Sequence, residues 1–280
     1  MQFWVWLYLL SPTFTIPTEL PTVLVTGSTD GIGKHTSLRL LQHGYRVFIH
    51  GRDQQKLDAT VAELSQHGDV NGFCHDLSSV QGCTDLASDV KKNTPKLDVL
   101  INNAGVFSTS QTYTPTNLEM TFAVNVLAPF VLTRELLPIL KKSSRVINVS
   151  SISQHDGPPT IDFDNLNYLK GGWDPHTSYG MSKRLMALYS KELSRRIDPL
   201  VVSCDPGTVK TKMLLAGWGE YGIDLKDANN EFTLATSTEL TSEDDGKYYF
   251  GDLPHDDVND VDKGRELWKI LETLAGDQCI

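Results

Sequence analysis

An α/β fold is predicted by the sequence, with one doubly wound parallel sheet of about seven strands and helices on both of its faces. Short β-branched runs alternate with longer amphipathic stretches from Pro21 onward. The apolar runs are typical of strands that are buried on both sides. Because the composition shows no break after residue 20, we expect a tail of residues 1–20 and a single domain over residues 21–280.

The predicted elements follow one another in a regular order. Each strand is a short apolar or β-branched run: 22–26, 46–50, 70–75, 99–102, 145–150, 200–205 and 247–250. Each helix is a longer stretch with helical periodicity: 32–43, 54–67, 79–92, 117–137, 179–196 and 261–274. Gly44 and Gly68 end the first two helices, and Pro138 ends the fourth. Segments 154–177 and 208–245 lack strong periodicity, and such long loops often bind ligands.

The composition excludes several classes of protein. The chain has 280 residues, of which 40% are hydrophobic and 21% charged, as in soluble globular domains. A formal net charge of -10 argues against a nucleic-acid partner. The four cysteines are scattered without metal-ligand spacing, so we expect no metal site, no disulfide framework and a reducing, cytoplasmic compartment.

The N-terminus carries an apolar run from Phe3 to Leu10. Spanning a bilayer takes about 20 apolar residues, so this run cannot cross a membrane unaided. Two interpretations stay open. The run makes a weak peripheral membrane contact through its aromatic side chains, or it is a flexible tail or a strip packed on the domain.

A glycine-rich turn joins the first predicted strand to the first predicted helix. Glycines permit a tight turn and a close approach of the backbone to a pyrophosphate, and the helix N-terminus attracts the anion. Such a turn at the start of a strand-helix-strand unit predicts a dinucleotide site. The predicted cofactor-binding residues of the turn are Gly27, Ser28, Asp30, Gly31, Ile32 and Gly33.

The end of the second strand indicates which dinucleotide is bound. An NAD-preferring site has a carboxylate there for the ribose 2′-hydroxyl, whereas this chain has Gly51-Arg52. An arginine can meet a 2′-phosphate, so NADP(H) is favoured over NAD(H). Asp53 follows directly and weakens that preference if it points into the pocket. A solvent-facing turn at Arg52 and Asp53 is the other interpretation.

Tyr179 and Lys183 stand four residues apart in a predicted helix, so their side chains share one face. A cation beside a phenol favours the phenolate and lowers the phenol's pKa from its usual value of about 10. A phenol tuned in this way can exchange a proton with an alcohol or a carbonyl. From these two residues alone, a chance pair on a helix surface stays an alternative.

The motifs together resemble the short-chain dehydrogenase/reductase family over about residues 21–275. In chain order they are Thr26 to Gly33, Asp76-Leu77, Asn102 to Gly105, Asn125, Ser150-Ser151, Tyr179 to Lys183 and Pro206-Gly207. Within that family the chain resembles the retinol-dehydrogenase-like group. Three features carry this second resemblance: Gly33-Lys34, the long interval between Ser151 and Tyr179, and Gly246 to Tyr249 before a helix with Leu267-Trp268.

The resemblance implies a Rossmann fold and a set of residues around the cofactor. Asp76 and Leu77 would meet the adenine ring. A second group would line the cofactor at the end of the fourth strand: Asn103, Ala104 and Gly105. A third would cover the nicotinamide and contact a phosphate or amide: Pro206, Gly207, Val209 and Thr211.

The resemblance also implies catalytic roles for four residues. Tyr179 would donate a proton to the alkoxide that hydride transfer leaves, and would accept it in the reverse direction. Lys183 would lower the pKa of Tyr179 and hold the nicotinamide ribose. Ser151 would hydrogen-bond the substrate oxygen, and Asn125 would hold a water in a proton relay to Lys183. Without the resemblance, Asn125 is interpreted as a satisfied core asparagine.

An NADP(H)-dependent oxidoreductase of a carbonyl or alcohol substrate is therefore the predicted function. The segment after the sixth strand offers apolar side chains that suit a lipophilic substrate: Met213, Leu214, Leu215, Trp218 and Tyr221. Two alternatives stay open: a catalytically idle dinucleotide sensor or scaffold, and a membrane-surface interaction protein. The family resemblance leaves a homo-oligomer open without fixing the number of subunits.

Overall fold

The described residues form one eight-stranded sheet with helices on both of its faces. The computed structural model describes residues 20–156, 160–251, 253–255 and 260–276, so the apolar run from Phe3 to Leu10 lies outside the described residues. The strands are β1 Thr22–Val25, β2 Arg46–Gly51, β3 Val70–Cys74, β4 Leu97–Asn102, β5 Leu140–Val149, β6 Leu200–Asp205, β7 Tyr248–Phe250 and β8 Leu253–His255.

The strand order is β3-β2-β1-β4-β5-β6-β7-β8. Strands β1 to β7 pair in parallel, as the sequence predicts. The short β8 pairs antiparallel with β7 and adds one strand to the predicted number. Strands β2 and β3 are added on one side of β1, and β4 and the later strands are added on its other side. Open α/β sheets bind ligands in the crevice at such a switch point.

The predicted helices lie close to their expected positions, and two further short helices lie within segment 208–245, where the sequence predicts none. The helices are α1 Gly31–Gln42, α2 Gln54–Leu64, α3 Val80–Asn93, α4 Met120–Phe122, α5 Ala128–Leu136, α6 Pro175–Ser194, α7 Lys212–Gly217, α8 Asn230–Thr236 and α9 Val261–Leu274. Helix α6 starts four residues before its predicted start at Tyr179. Asp174 caps it through its side chain, and Pro175 occupies the first turn, where its missing N–H is not needed.

The predicted helix over 117–137 contains an irregular turn. Helix α4 begins at Met120, where Glu119 caps it, and the chain then widens into a π-helical turn over Ala123–Leu127 before α5. Single π turns inside helices are frequent at functional sites. This π turn carries Asn125. The sequence shows that asparagine has a low helix propensity, but it does not show the wider turn.

Two apolar cores lie on opposite faces of the sheet. One packs α3, α5, α6 and α9 against it, and the other packs α1, α2 and α8. Trp268 of α9 is buried and contacts Phe130 and Tyr189, which joins α5, α6 and α9. These contacts fix α6, which carries Tyr179 and Lys183, against β5 and β6.

One segment of the described chain is long and apolar enough to cross a membrane. It runs over Met120–Ile139, and 78% of it is buried inside the fold. Its apolar residues are thus satisfied by packing against the sheet, as in the core helix of an α/β domain.

Candidate active site

A cleft opens at the carboxyl ends of the parallel strands, on the edge where such folds bind ligands. Its volume is about 880 Å³, which is within the range of small-molecule and cofactor sites. Most of the predicted site residues line it: Gly27, Asp30, Gly31, Ile32, Gly33, Arg52, Asp76, Leu77, Asn103, Ala104, Gly105, Ser151, Tyr179, Lys183, Pro206, Gly207, Val209 and Thr211. The structure therefore brings together motifs that are spread over most of the sequence.

The glycine-rich turn leaves open backbone where a phosphate group would lie. Gly27 and Gly31 have φ angles of 64° and 53°, in the left-handed region that favours glycine. A Cβ on Gly33 would come within 2.4 Å of Asn103 Nδ2 and 2.7 Å of Gly27 O. The turn begins α1, whose first N–H groups and positive dipole end face the cleft. This cradle fits a dinucleotide pyrophosphate.

Gly33→Ala is expected to damage both the fold and the cradle. The neighbouring Asn103 amide cannot move aside, since it donates to Thr26 O at 2.7 Å and to Gly27 O at 3.1 Å. We expect the free energy of unfolding to fall by about 2 kcal/mol, as in other overpacked sites, and the affinity for a dinucleotide to fall with it. Thermal unfolding and a fluorescence titration measure the two effects.

Gly264→Ala is the matched control for that prediction. Gly264 lies in α9, and a Cβ there would make ordinary contact at 3.4 Å from Glu192 Cβ. Alanine favours a helix over glycine by about 1 kcal/mol. Equal losses of stability in the two variants would contradict the steric account of Gly33.

His50 supports the turn from below, a role that the sequence does not reveal. Gly27 N donates to His50 Nδ1 at 3.1 Å, and His50 Nε2 lies 2.9 Å from His75 O. These partners fix the neutral tautomer with its proton on Nε2. Burial lowers the pKa of His50 to about 4, which keeps Nδ1 free to accept from Gly27.

Ser28 is buried beneath the turn, whereas the sequence predicts that it binds the cofactor. Its hydroxyl donates to Val25 O at 2.7 Å and accepts from His50 N at 2.9 Å. Ser28 does not line the cleft, and its hydroxyl holds the backbone of the turn instead. Thr29, the next residue, lines the cleft in its place.

Arg52 lies at the end of β2, exposed and on the cleft wall. Asp53 is turned away from it, because its carboxylate caps α2 by accepting from Lys56 N at 3.1 Å. The ammonium of Lys34 is paired with Glu63 at 2.6 Å on the outer surface. Arg52 is thus the basic side chain that the end of β2 presents to the cleft.

Tyr179, Lys183 and Ser151 converge at the inner end of the cleft. Both α6 side chains are buried, with 7% of Tyr179 and 4% of Lys183 exposed. Lys183 Nζ donates to Val149 O at 2.8 Å and lies 5.5 Å from the centre of the Tyr179 ring. The Tyr179 hydroxyl shares a hydrogen bond with the Ser151 side chain. A phenol, an ammonium and a hydroxyl therefore meet beside the glycine-rich turn.

Burial dominates the proton affinities of this group. It raises the pKa of Tyr179 well above its usual range, with Asp205 adding to the rise and the Ser151 hydrogen bond opposing it. Burial also lowers the pKa of Lys183 to about 8, against the attraction of Cys204, Asp205 and Glu231. The sequence predicts a lowered pKa for Tyr179, because spacing shows the cation but not the loss of water around the phenol.

Asn125 lies behind the cleft, in the π turn. Its Oδ1 accepts from Val106 N at 2.8 Å, and its Nδ2 donates to Val106 O and Ser182 Oγ, both at 3.0 Å. The side chain thus joins the segment after β4 to α6 and has the satisfied hydrogen bonds of a core asparagine. A role in a proton relay stays a prediction.

Aromatic rings surround the outer side of Tyr179. Phe107 lies 4.8 Å from Trp218 and 5.7 Å from Tyr179 between ring centres, and Trp218 lies 5.3 Å from Tyr179. The apolar side chains that the sequence singles out after β6 all line the cleft: Met213, Leu214, Leu215, Trp218 and Tyr221. This end of the cleft can hold an apolar group next to the phenol.

The segment between β5 and α6 packs mainly on the domain. Trp173 Nε1 donates to Glu119 Oε1 at 3.3 Å, and Phe163 packs on the core that contains α5 and α6. Neither ring lines the cleft, and nor does Tyr168. These aromatic side chains therefore belong to the packing of the segment on the domain.

Three comparisons identify related proteins. The family model for short chain dehydrogenase matches residues 21–162. Retinol dehydrogenase 13 from Homo sapiens is 33% identical over 94% of this chain and 86% of its own length. Retinol dehydrogenase 14 from Mus musculus is 32% identical over 91% of this chain and 86% of its own. The solved Pseudomonas aeruginosa RhlG/NADP active-site complex has a TM-score of 0.65 and 27% identity, over 83% of this chain and 94% of that one.

Proposed function

Because this chain belongs to the short-chain dehydrogenase/reductase family, we propose that it is an NADP(H)-dependent oxidoreductase that interconverts a lipophilic carbonyl compound and its alcohol. The observation that carries the proposal is the meeting of Tyr179, Lys183 and Ser151 at the inner end of a cleft that begins at a glycine-rich turn. The bound cofactor would supply or accept the hydride.

Tyr179 would act as the general acid when a carbonyl is reduced. A raised pKa keeps the phenol protonated at neutral pH, so it holds a proton for the alkoxide, which is a far stronger base. Ser151, bonded to the same hydroxyl, would orient the substrate oxygen within reach of that proton. In the reverse direction Tyr179 would accept the proton from the alcohol.

Lys183 would stabilise the negative charge that develops on Tyr179 as its proton leaves. The Lys183 side chain is buried, and a charge acts more strongly in such a site than in water. Its position next to Gly105, whose Cβ would lie 3.5 Å from Lys183 Nζ, suits a hydrogen bond to the nicotinamide ribose.

The remaining cofactor contacts follow from the cleft wall. Asp76 and Leu77 would meet the adenine, and Pro206, Gly207 and Val209 would cover the nicotinamide. The Thr211 hydroxyl caps α7 by accepting from Leu214 N at 3.3 Å. Its expected contact with a phosphate or amide of the cofactor would therefore use its O–H as the donor. Asp30 caps α1 and forms an ion pair with Lys212 across the mouth of the cleft.

A cofactor titration followed by a substrate panel tests the proposed function. Tryptophan fluorescence is followed as NADPH or NADH is added, because Trp218 lines the cleft. A panel of aliphatic, aromatic and polyene carbonyls and alcohols is then assayed at the cofactor absorbance. Turnover with NADPH supports the proposal. Tight binding of NADPH without turnover of any panel member favours the idle sensor instead.

Arg52→Gln is expected to lower the preference for NADPH over NADH. A hydrogen bond to a charged group contributes about 2 kcal/mol, so the Kd for NADPH should rise about 30-fold while that for NADH stays nearly constant. Lys34→Gln serves as control, since that ammonium is paired with Glu63. An equal loss of affinity for both dinucleotides in the Arg52 variant would remove the basis for NADP(H) preference.

The tail of residues 1–20 is proposed to make a weak peripheral membrane contact from the cytoplasm, through the aromatic residues between Phe3 and Leu10. Aromatic side chains favour the interface of a bilayer, and a run of this length inserts without crossing. Sedimentation with lipid vesicles, with and without residues 1–20, measures the contact. Equal binding by both forms excludes it.

A further inference from the structure

Asp205 is a buried carboxylate on the wall of the cleft that the sequence motifs do not include. It is the last residue of β6, and only 2% of it is exposed. Its two oxygens accept from different backbone groups: Oδ2 from Ile152 N and Oδ1 from Gly207 N. One side chain thus binds two separate segments of the cleft wall.

The pair of hydrogen bonds favours an ionised carboxylate. Each oxygen faces an N–H donor, whereas a protonated acid or an amide presents a donor of its own on one side. Burial raises the pKa of Asp205, and the bonds from Ile152 and Gly207 and the charge of Lys183 oppose that rise. The donors therefore hold the negative charge in the buried site.

The two tied segments carry groups of the proposed reaction. Ile152 directly follows Ser151 and begins a short 3-10 helix that Ser151 caps. Gly207 belongs to the segment that would cover the nicotinamide. These segments leave neighbouring strands, since Val149 of β5 pairs with Cys204 of β6. Asp205 fixes the distance between them just beyond the last pair.

Asp205 also acts on the charged groups that surround it. On α6 it raises the pKa of Tyr179 and of Lys183. On α8 it raises the pKa of Glu231, which burial brings to about 7. Cys204, its neighbour in β6, is affected in the same direction. All four effects have the sign of a negative charge that disfavours the loss of a proton nearby.

We propose that Asp205 is a positioning residue: its carboxylate ties the Ser151 segment to the Pro206-Gly207 segment, and its charge keeps Tyr179 and Lys183 protonated until Tyr179 passes its proton to the alkoxide. The inference rests on the proposed function for its kinetic part. The tie between the two segments is independent of any substrate.

Two variants separate the tie from the charge. Asp205→Asn removes the charge and leaves one of the two N–H groups facing an amide NH₂. Ile152→Pro removes one donor and keeps the charge. Proline suits this position, because Ile152 is the first residue of its helix and Ser151 before it is extended, with φ -169° and ψ 155°. Ile152→Ala accounts for the lost side chain, and Asp198→Asn removes an exposed charge outside the cleft.

The pH profile of carbonyl reduction distinguishes the variants. Removal of the charge lowers the pKa of Tyr179 and of Lys183. Both groups then lose their protons at a lower pH, so the decline of activity with rising pH should begin earlier. This decline is the alkaline limb of the pH profile. In Asp205→Asn we expect the alkaline limb to move to a pH about one unit lower and kcat to fall about 30-fold. Ile152→Pro should reduce kcat relative to Ile152→Ala, with the limb at its wild-type position. Asp198→Asn should leave both unchanged.

Glu231 titrates in the same range and is controlled separately. It is fully buried, and neither carboxyl oxygen has a hydrogen-bond partner among the described residues. The Asp205→Asn comparison is therefore repeated in a Glu231→Gln background. A shift of the limb that persists there belongs to Asp205, whereas a shift that disappears belongs to Glu231 and contradicts the charge part of the proposal.

Amide hydrogen exchange tests the tie without any substrate. The amides of Ile152 and Gly207 should exchange at least about tenfold faster in Asp205→Asn than in the wild type, and Gly207 should stay protected in Ile152→Pro. Unchanged exchange, or an unchanged kcat and limb in an active enzyme, overturns the proposal for Asp205. If the wild type turns over no member of the panel, the proposed function is overturned instead. The exchange result then decides whether Asp205 ties the two segments together. If Asp205→Asn does not fold, a kcat of Ile152→Pro equal to that of Ile152→Ala is the overturning result.

Discussion

Tyr179→Phe is expected to lower kcat about 1000-fold while leaving the fold and NADPH binding nearly intact. General acid catalysis contributes about 100- to 10,000-fold, and the substitution removes the hydroxyl that would donate the proton. The phenyl ring keeps its contacts with Phe107 and Trp218, so packing is preserved. Steady-state kinetics, thermal unfolding and an NADPH titration measure the three quantities.

Tyr189→Phe is the matched control for this prediction. Tyr189 lies on the same helix, is buried, and makes a long hydrogen bond of 3.5 Å to Pro129 O on the side away from the cleft. Its loss should affect stability more than activity. Near-normal turnover by Tyr179→Phe, or equal loss of kcat in both variants, would show that the Tyr179 hydroxyl is not the proton donor.

Lys183→Met is expected to lower kcat about 100-fold and to raise the KM for NADPH. The variant removes a buried charge that would stabilise the deprotonated Tyr179, and it removes a donor placed beside Gly105. Methionine is apolar and of similar length, so the domain should remain folded, with Val149 O losing its 2.8 Å bond. Kinetics at saturating and limiting NADPH separate the two effects.

The role of Lys183 also predicts the direction in which activity changes with pH. Burial lowers the pKa of Lys183 from 10.5 to about 8, so the ammonium is present below pH 8 and is lost above it. Wild-type carbonyl reduction should therefore decline as the pH rises through about 8, and this limb should be absent from Lys183→Met. Lys191→Met, two turns further along α6, should keep the limb. If the limb persists in Lys183→Met, the group that titrates is not Lys183.

The fold could be predicted because alternating strand and helix periods recur along nearly the whole chain. The parallel pairing of the first seven strands follows from that alternation, whereas their order in the sheet is seen only in the folded chain. Strand β8 could not be predicted, since its three residues include Pro254 and show no period. The π turn around Asn125 was hidden for a different reason: its residues have the same apolar pattern as an ordinary helix.

The site was predicted where sequence neighbours act together, and missed where distant segments meet. Gly33 and the pair Tyr179 and Lys183 are recognisable by local spacing. His50 and Asp205 act through hydrogen bonds to backbone groups that are far away in sequence, so only the folded chain reveals them. The direction of the Tyr179 pKa depends on burial by several elements and could not follow from the position of one lysine.

Transfer of deuterium from NADPH labelled at the transferable position of nicotinamide C4 tests the central claim most directly. The wild-type protein, the labelled cofactor and a lipophilic ketone that turns over are incubated together, and the alcohol is analysed by mass spectrometry and NMR. We predict one deuterium at the carbinol carbon for each NADPH consumed, and almost no product with Tyr179→Phe under the same conditions. An alcohol without the label, or equal labelled product from Tyr179→Phe, would contradict the account.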